Sequence, residues 1–86
     1  MRIVVDRNIR GAEETFGAHG DLVFLDGRKI TRRDLEDTRV LIVRTTTRLN
    51  RELLEGTGVE FAGTTSIGTD HLDIPWLEAA GIAWAN

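Results

Sequence analysis

The sequence predicts an α/β domain: a flavodoxin-like, doubly wound parallel sheet of five strands in the order 2-1-3-4-5, incomplete on one face. Two observations predict it. Apolar runs of strand length alternate with capped or amphipathic segments along all 86 residues, the pattern of consecutive strand, helix, strand units with parallel strands. The run "VLIV" at Val40–Val43 is apolar on both sides, with Val40 and Ile42 pointing one way and Leu41 and Val43 the other, as a central strand buried on both faces requires.

The strands are expected over Arg2–Asp6, Leu22–Leu25, Val40–Val43, Val59–Ala62 and Ile82–Ala85, each rich in β-branched or large apolar residues. The first helix is expected over Arg10–His19, turning Ala12, Phe16 and Ala18 toward the sheet and stopping at a left-handed Gly20. "DG" at Asp26 and Gly27 reads as a turn. Thr31 with Asp34 forms a short capping box that opens a brief helix to Glu36. Asn50 caps "RELLE", which ends at Gly56 and keeps Leu53 and Leu54 for the core. Asp73 caps "IPWLEAA", with Pro75 in the first turn and Gly81 closing the helix. Trp76 and Trp84 are expected in the core or against a further part of the protein.

Handedness fixes where these helices lie. The first connection runs one way along the sheet and the other three run the opposite way, so right-handed crossovers put helix one alone on one face. Leaving two or three large aliphatic side chains wet there forfeits roughly 1.5–3 kcal/mol each, a large share of a domain's net stability of ~5–15 kcal/mol. The expectation is a fragment, with more protein beyond Asn86 to cover that face; a naturally short form, or a dimer, is the alternative.

Composition narrows the function. With 41% hydrophobic and 29% charged residues and a net charge of −3, the chain reads as folded and acidic, and its eleven Lys and Arg are scattered. Neither nucleic acid nor a membrane surface is an expected partner. There is no cysteine, which excludes disulfides and thiolate zinc sites and fits a cytoplasmic location. The N-terminus has only three consecutive apolar residues, Ile3–Val5, too few for a signal peptide or a membrane span.

In such sheets ligands bind beyond the carboxyl ends of the strands, where the strand order reverses. Asp6–Asn8, Arg44–Thr47 and Gly63–Thr69 share that edge. The guanidinium of Arg44 and the hydroxyls beside it, facing the loop "GTTSIG", would make a donor-rich pocket for a small ligand carrying carboxylate, hydroxyl or phosphate oxygens. Thr45 and Ser66 are the candidate ligand contacts, with Gly68 allowing close backbone approach. The competing reading makes the threonines strand extension, pairs Arg44 with a surface carboxylate and leaves the serine and glycine to turn chemistry.

Other patterns carry less. "GTTSIGTD" has P-loop glycine spacing but Thr69 and Asp70 where lysine and a hydroxyl must stand. Asp70, His71 and Asp73 make a poor metal site, because the carboxylates are better used as helix caps. A lone histidine is more often structural than a general base, and His19 is explained by a helix dipole. No G-x-G-x-x-G follows any strand, so these residues hold no dinucleotide fingerprint.

Three blocks, "MRIVVDRNI", "VLIVRTTTRLNRELL" and "FAGTTSIGTDHLDIPWLEAAGI", resemble the N-terminal part of the D-2-hydroxyacid dehydrogenase family, in its branch acting on a phosphorylated sugar acid. The resemblance implies that residues 1–86 are part of a substrate-binding domain, that an NAD-binding Rossmann domain follows, and that a later segment returns to complete the first domain. It further implies oxidation of 4-phospho-D-erythronate to a 2-oxo acid in pyridoxal 5'-phosphate biosynthesis, with NAD as cofactor and a homodimeric full-length enzyme. The catalytic histidine, glutamate and arginine of the family fall downstream, so neither His71 nor Arg44 takes those roles and the fragment alone is expected to be inactive. Thr45 and Ser66 fall at substrate-contacting hydroxyl positions, with threonine where serine is common and serine where threonine is common. Arg7 stands where an acidic residue is frequent. A phosphoglycerate-type member of the family, or a non-catalytic flavodoxin-like binding module, is the alternative.

Overall fold

In the computed structural model, which describes residues 1–86, strands β1 (Arg2–Asp6), β2 (Asp21–Leu25), β3 (Thr38–Val43), β4 (Phe61–Thr64) and β5 (Ala83–Ala85) form one parallel sheet. The strand order is β2-β1-β3-β4-β5, as expected from the sequence. Helices α1 (Ala12–Phe16), α2 (Arg51–Leu54) and α3 (Ile74–Ala79), with 3-10 turns at Gly17–His19 and Arg32–Leu35, make the crossovers.

The expected caps form. Thr31 and Asp34 close a reciprocal capping box, Asn50 accepts from the Leu53 amide at 3.1 Å, and Asp73 accepts from the Trp76 amide at 3.2 Å. Gly56 and Gly81 end their helices with φ of 80° and 76°, a conformation a side chain would strain.

The two faces of the sheet are unequal. Val4, Leu41, Val43 and Ala62 pack under the 3-10 turn, α2 and α3 in a core of eleven buried residues, and Trp76 and Trp84 pack against it. On the other face only Ile3, Val5, Ala12 and Ile42 are buried, with Phe16, Leu22, Val40 and Phe61 partly covered. Phe24, opposite Val5 in the ladder and so on this thin face, is 40% exposed. An apolar groove of about 220 Å3 between Phe16, Ile42, Phe61 and Ala85 marks where α1 fails to reach.

Three local expectations are corrected. The first helix is short: α1 covers five residues and tightens into a 3-10 turn, so Ala18 is exposed rather than facing the sheet. Gly20 is not left-handed; its φ of 168° is ordinary extended backbone, and glycine is required because a Cβ there would lie 2.3 Å from the Met1 carbonyl oxygen. The fourth strand lies at Phe61–Thr64 rather than Val59–Ala62. Gly63, which reads as the start of a loop, is a strand residue over which Ile42 packs: a Cβ at Gly63 would stand 3.0 Å from the Ile42 Cδ1.

Candidate functional site

The carboxyl ends of β1, β3 and β4 share one rim, and an ion pair organises it. Arg44, the first residue past β3, donates from Nε to Asp6 Oδ2 at 3.0 Å, while Asp6 Oδ1 accepts from the Asn8 amide at 2.9 Å. The Asp6 side chain is fully buried. Arg44 is therefore tied through Nε to the end of β1, to a buried carboxylate rather than the surface carboxylate of the competing reading, and it does not line the cavity that Thr45 enters. Gly27 lies against this pair, since a Cβ there would come within 2.1 Å of Asp6 Oδ2.

The three threonines after Arg44 diverge. A turn closed by the Thr47 amide on the Arg44 carbonyl, 3.3 Å, directs them apart. Thr47 is buried and its Oγ1 donates to the Gly27 carbonyl at 2.7 Å, fastening the loop after β3 to the loop after β2. Thr46 is exposed along a shallow groove shared with Arg28 and Arg32, and Thr45 enters a cavity of about 290 Å3.

That cavity is walled by Thr45 and Arg48 from one loop and by Gly68, Asp70 and His71 from the other. A parallel bridge between Leu49 and Leu72 holds the loops together, with the Leu49 amide on the His71 carbonyl and the Asp73 amide on the Leu49 carbonyl, both 2.9 Å. Both leucines are buried in the thick core, so apolar packing places the polar walls.

Ser66 does not line the cavity; it begins a hydrogen-bond chain that ends there. Its Oγ donates to the Gly68 carbonyl at 3.0 Å, which uses its one proton because a carbonyl only accepts. The 3.0 Å contact between Thr64 Oγ1 and Ser66 Oγ then uses the threonine proton, and the 2.9 Å contact of His71 Nε2 with Thr64 Oγ1 needs a proton on the nitrogen. His71 thus carries its proton on Nε2 and, when neutral, keeps an acceptor at Nδ1. No buried side-chain polar atom lacks a partner and no hydrogen bond involves Nδ1, so that atom keeps some exposure, on a ring that lines the cavity. The site offers a hydroxyl, a guanidinium, an imidazole acceptor and a carboxylate, a set chemically suited to a polyhydroxylated anion.

At the outer rim Arg7 pairs with Asp26 at 3.5 Å, and Asp26 accepts from the Arg28 amide at 3.0 Å. That amide hydrogen bond, with the nearby cations Arg7, Lys29 and Arg28, holds the Asp26 carboxyl below its ordinary value of 3.8. The basic residue at position 7 thereby has a local partner.

The sequence pattern of the D-isomer specific 2-hydroxyacid dehydrogenase catalytic domain matches residues 3–86. The chain belongs to this family. Among relatives, erythronate-4-phosphate dehydrogenases of Stutzerimonas stutzeri (strain A1501) and Cellvibrio japonicus (strain Ueda107) are 49% and 50% identical over all 86 residues. The chain spans 23% of the length of each of these curated relatives. A crystal structure from Polaromonas sp. JS6 66, assigned as a D-isomer specific 2-hydroxyacid dehydrogenase, superposes with a TM-score of 0.76 at 22% identity, over 96% of this chain and 28% of that one. The sheet of this family member thus shares its fold with that structure.

Residues 1–86 do not themselves fit a dinucleotide. The turn after β1 lacks a glycine-rich phosphate loop, and α1 opens on Glu13 and Glu14, whose charges repel a pyrophosphate. Sequence reasoning passed over Arg48; the signal available was its position one residue before the buried Leu49, on the same loop as Thr45.

Proposed function

We propose that these residues form the first part of the substrate-binding domain of an NAD-dependent dehydrogenase that oxidises 4-phospho-D-erythronate to 2-oxo-3-hydroxy-4-phosphobutanoate, a step of pyridoxal 5'-phosphate synthesis. The observation that carries this reading is identity near one half, without partial coverage of this chain, to several proteins named erythronate-4-phosphate dehydrogenase. The cavity at the carboxyl ends of β3 and β4 agrees with it, being polar, of metabolite size and walled by hydroxyl, cationic and acceptor groups.

In this reading Thr45 hydrogen-bonds the substrate, and Ser66 shapes the loop that carries Gly68 and His71. NAD, held by a Rossmann domain beyond Asn86, accepts the hydride. The proton-transferring pair belongs to the downstream segment, as the family resemblance implies, and the working enzyme is a cytoplasmic homodimer.

The test is NADH formation by the full-length protein with 4-phospho-D-erythronate and, separately, with 3-phosphoglycerate. Turnover of the first, with a clear preference over the second, is the expected result. Preference for 3-phosphoglycerate would move the protein to the phosphoglycerate-type enzymes, and no turnover of any 2-hydroxy acid would favour a binding module.

A further inference from the structure

We propose that Arg48 is the specificity residue that reads the phosphate group of the substrate, an inference that rests on the phosphorylated hydroxy acid named above. Of the arginines at or near this rim, most are already engaged. Arg44 is bound to the buried Asp6, Arg7 pairs with Asp26, and Arg51 pairs with Glu55 at 2.9 Å. Arg32 spans the carbonyls of Arg51 and Glu52 at 2.7–3.2 Å. Arg48 makes no ion pair and no side-chain hydrogen bond; it is the one guanidinium in the wall of the Thr45 cavity, and it also borders the neighbouring groove.

Its backbone is nonetheless fixed. Leu49, the next residue, is buried and held by both bridge hydrogen bonds to the facing loop, so the guanidinium projects from a rigid base. A planar guanidinium with several free N–H groups matches the oxygens of a phosphate two at a time. Asp70, also in the wall and likewise unpaired, opposes an anion placed next to it. The cavity is therefore bipolar: it favours a ligand whose phosphate lies at the Arg48 side while hydroxyls reach Asp70 and His71 Nδ1. Arg28 is the control, being basic and unpaired but lining only the neighbouring groove.

The experiment compares kcat/KM for 4-phospho-D-erythronate with that for D-erythronate in the full-length protein and in Arg48→Ala, Arg48→Lys and Arg28→Ala. Arg48→Ala should lower the ratio of the two by roughly 10- to 100-fold, the loss expected for a charge-assisted hydrogen-bonded pair. Arg48→Lys should restore part of it, through charge without the planar fork. Arg28→Ala should leave the ratio at the wild-type value. An unchanged ratio in Arg48→Ala, an equal loss for both substrates, or collapse of the ratio in Arg28→Ala would each overturn the assignment while leaving the dehydrogenase reading in place. A wild-type enzyme that ignores the phosphorylated acid would instead remove the reading itself.

Discussion

Arg44 and Asp6 meet across the carboxyl ends of β3 and β1 at 3.0 Å, and the two partners are unequally buried: the Arg44 side chain keeps 33% of its exposure and Asp6 keeps none. The sharp change from apolar strand to guanidinium after Val43 is thus a structural tie between adjacent strand ends, fitted to a buried carboxylate.

This asymmetry predicts unequal mutational costs. Arg44→Gln strands a buried carboxylate and should destabilise the protein by about 3 kcal/mol or more. Asp6→Asn leaves a guanidinium that can turn to water and keeps an acceptor for the Asn8 amide, so its cost should be about 1–2 kcal/mol. Urea midpoints at constant m value give both numbers. Equal costs, or the reverse order, would show that the pair is not what holds this rim.

Two glycines near the first helix should respond in opposite directions to alanine. Gly20 has extended backbone but no room, its Cβ position meeting the Met1 carbonyl oxygen at 2.3 Å. Gly20→Ala must push the β1 and β2 ends apart and should lower the melting temperature. Gly17 has φ −58° and ψ −30°, with nothing within 4 Å of its Cβ position. Gly17→Ala should therefore stabilise by about 0.4–1 kcal/mol, through loss of unfolded-state freedom alone. Thermal melts of the two variants against wild type settle the signs.

Much of this architecture is legible in the sequence because periodicity and caps report on local physics. The alternation at Val40–Val43 predicts a two-sided core, and it separates as predicted: Leu41 and Val43 go to the thick face, Ile42 and Val40 to the thin one. Asn50, Asp73 and the Thr31 box cap their helices because the hydrogen bonds involved span only three residues. What the sequence hides depends on distant contacts. Gly20 and Gly27 look like turn residues, yet each is needed because atoms distant in the chain, the Met1 carbonyl and the Asp6 carboxylate, occupy the place of its side chain. Arg44 looks like a ligand donor because nothing near it in the chain reveals that Asp6 lies buried beside it. Arg48 is overlooked for the converse reason: its freedom becomes visible only once the partners of its neighbours are known.

The hydrogen-bond chain from Ser66 through Thr64 to His71 predicts a tautomer. His71 should carry its proton on Nε2 when neutral, because Thr64 Oγ1 at 2.9 Å has no proton left to donate. The ring 15N shifts of histidine-labelled protein, assigned by comparison with His71→Gln, distinguish the two tautomers directly. Thr64→Val removes the central hydroxyl, leaving the imidazole N–H without its acceptor and Ser66 Oγ with only its bond to the Gly68 carbonyl, at a cost of about 1–3 kcal/mol. A His71 that stays in the Nδ1–H form, or a Thr64→Val protein as stable as wild type, would break the chain of donors.

Thr45 and Ser66 should separate by kinetic signature, although both fall at hydroxyl positions of the rim. Thr45 is exposed in the cavity wall, where its hydroxyl can reach a substrate oxygen without first breaking an internal bond. Thr45→Val keeps the shape and removes the donor and acceptor, so KM for the phosphorylated acid should rise by roughly 10-fold, the worth of about one hydrogen bond, with NAD affinity unchanged. Thr45→Ser should recover most of it. Ser66 Oγ is already bonded to Thr64 and to the Gly68 carbonyl, so Ser66→Ala acts through the loop and releases both. Its KM effect should therefore come with lowered stability, which the Thr45 variants should not show. Steady-state kinetics paired with urea midpoints for the full-length protein test the distinction. Loss of NAD binding in Thr45→Val, or a Ser66→Ala enzyme with raised KM and wild-type stability, would reverse the roles given to these two hydroxyls.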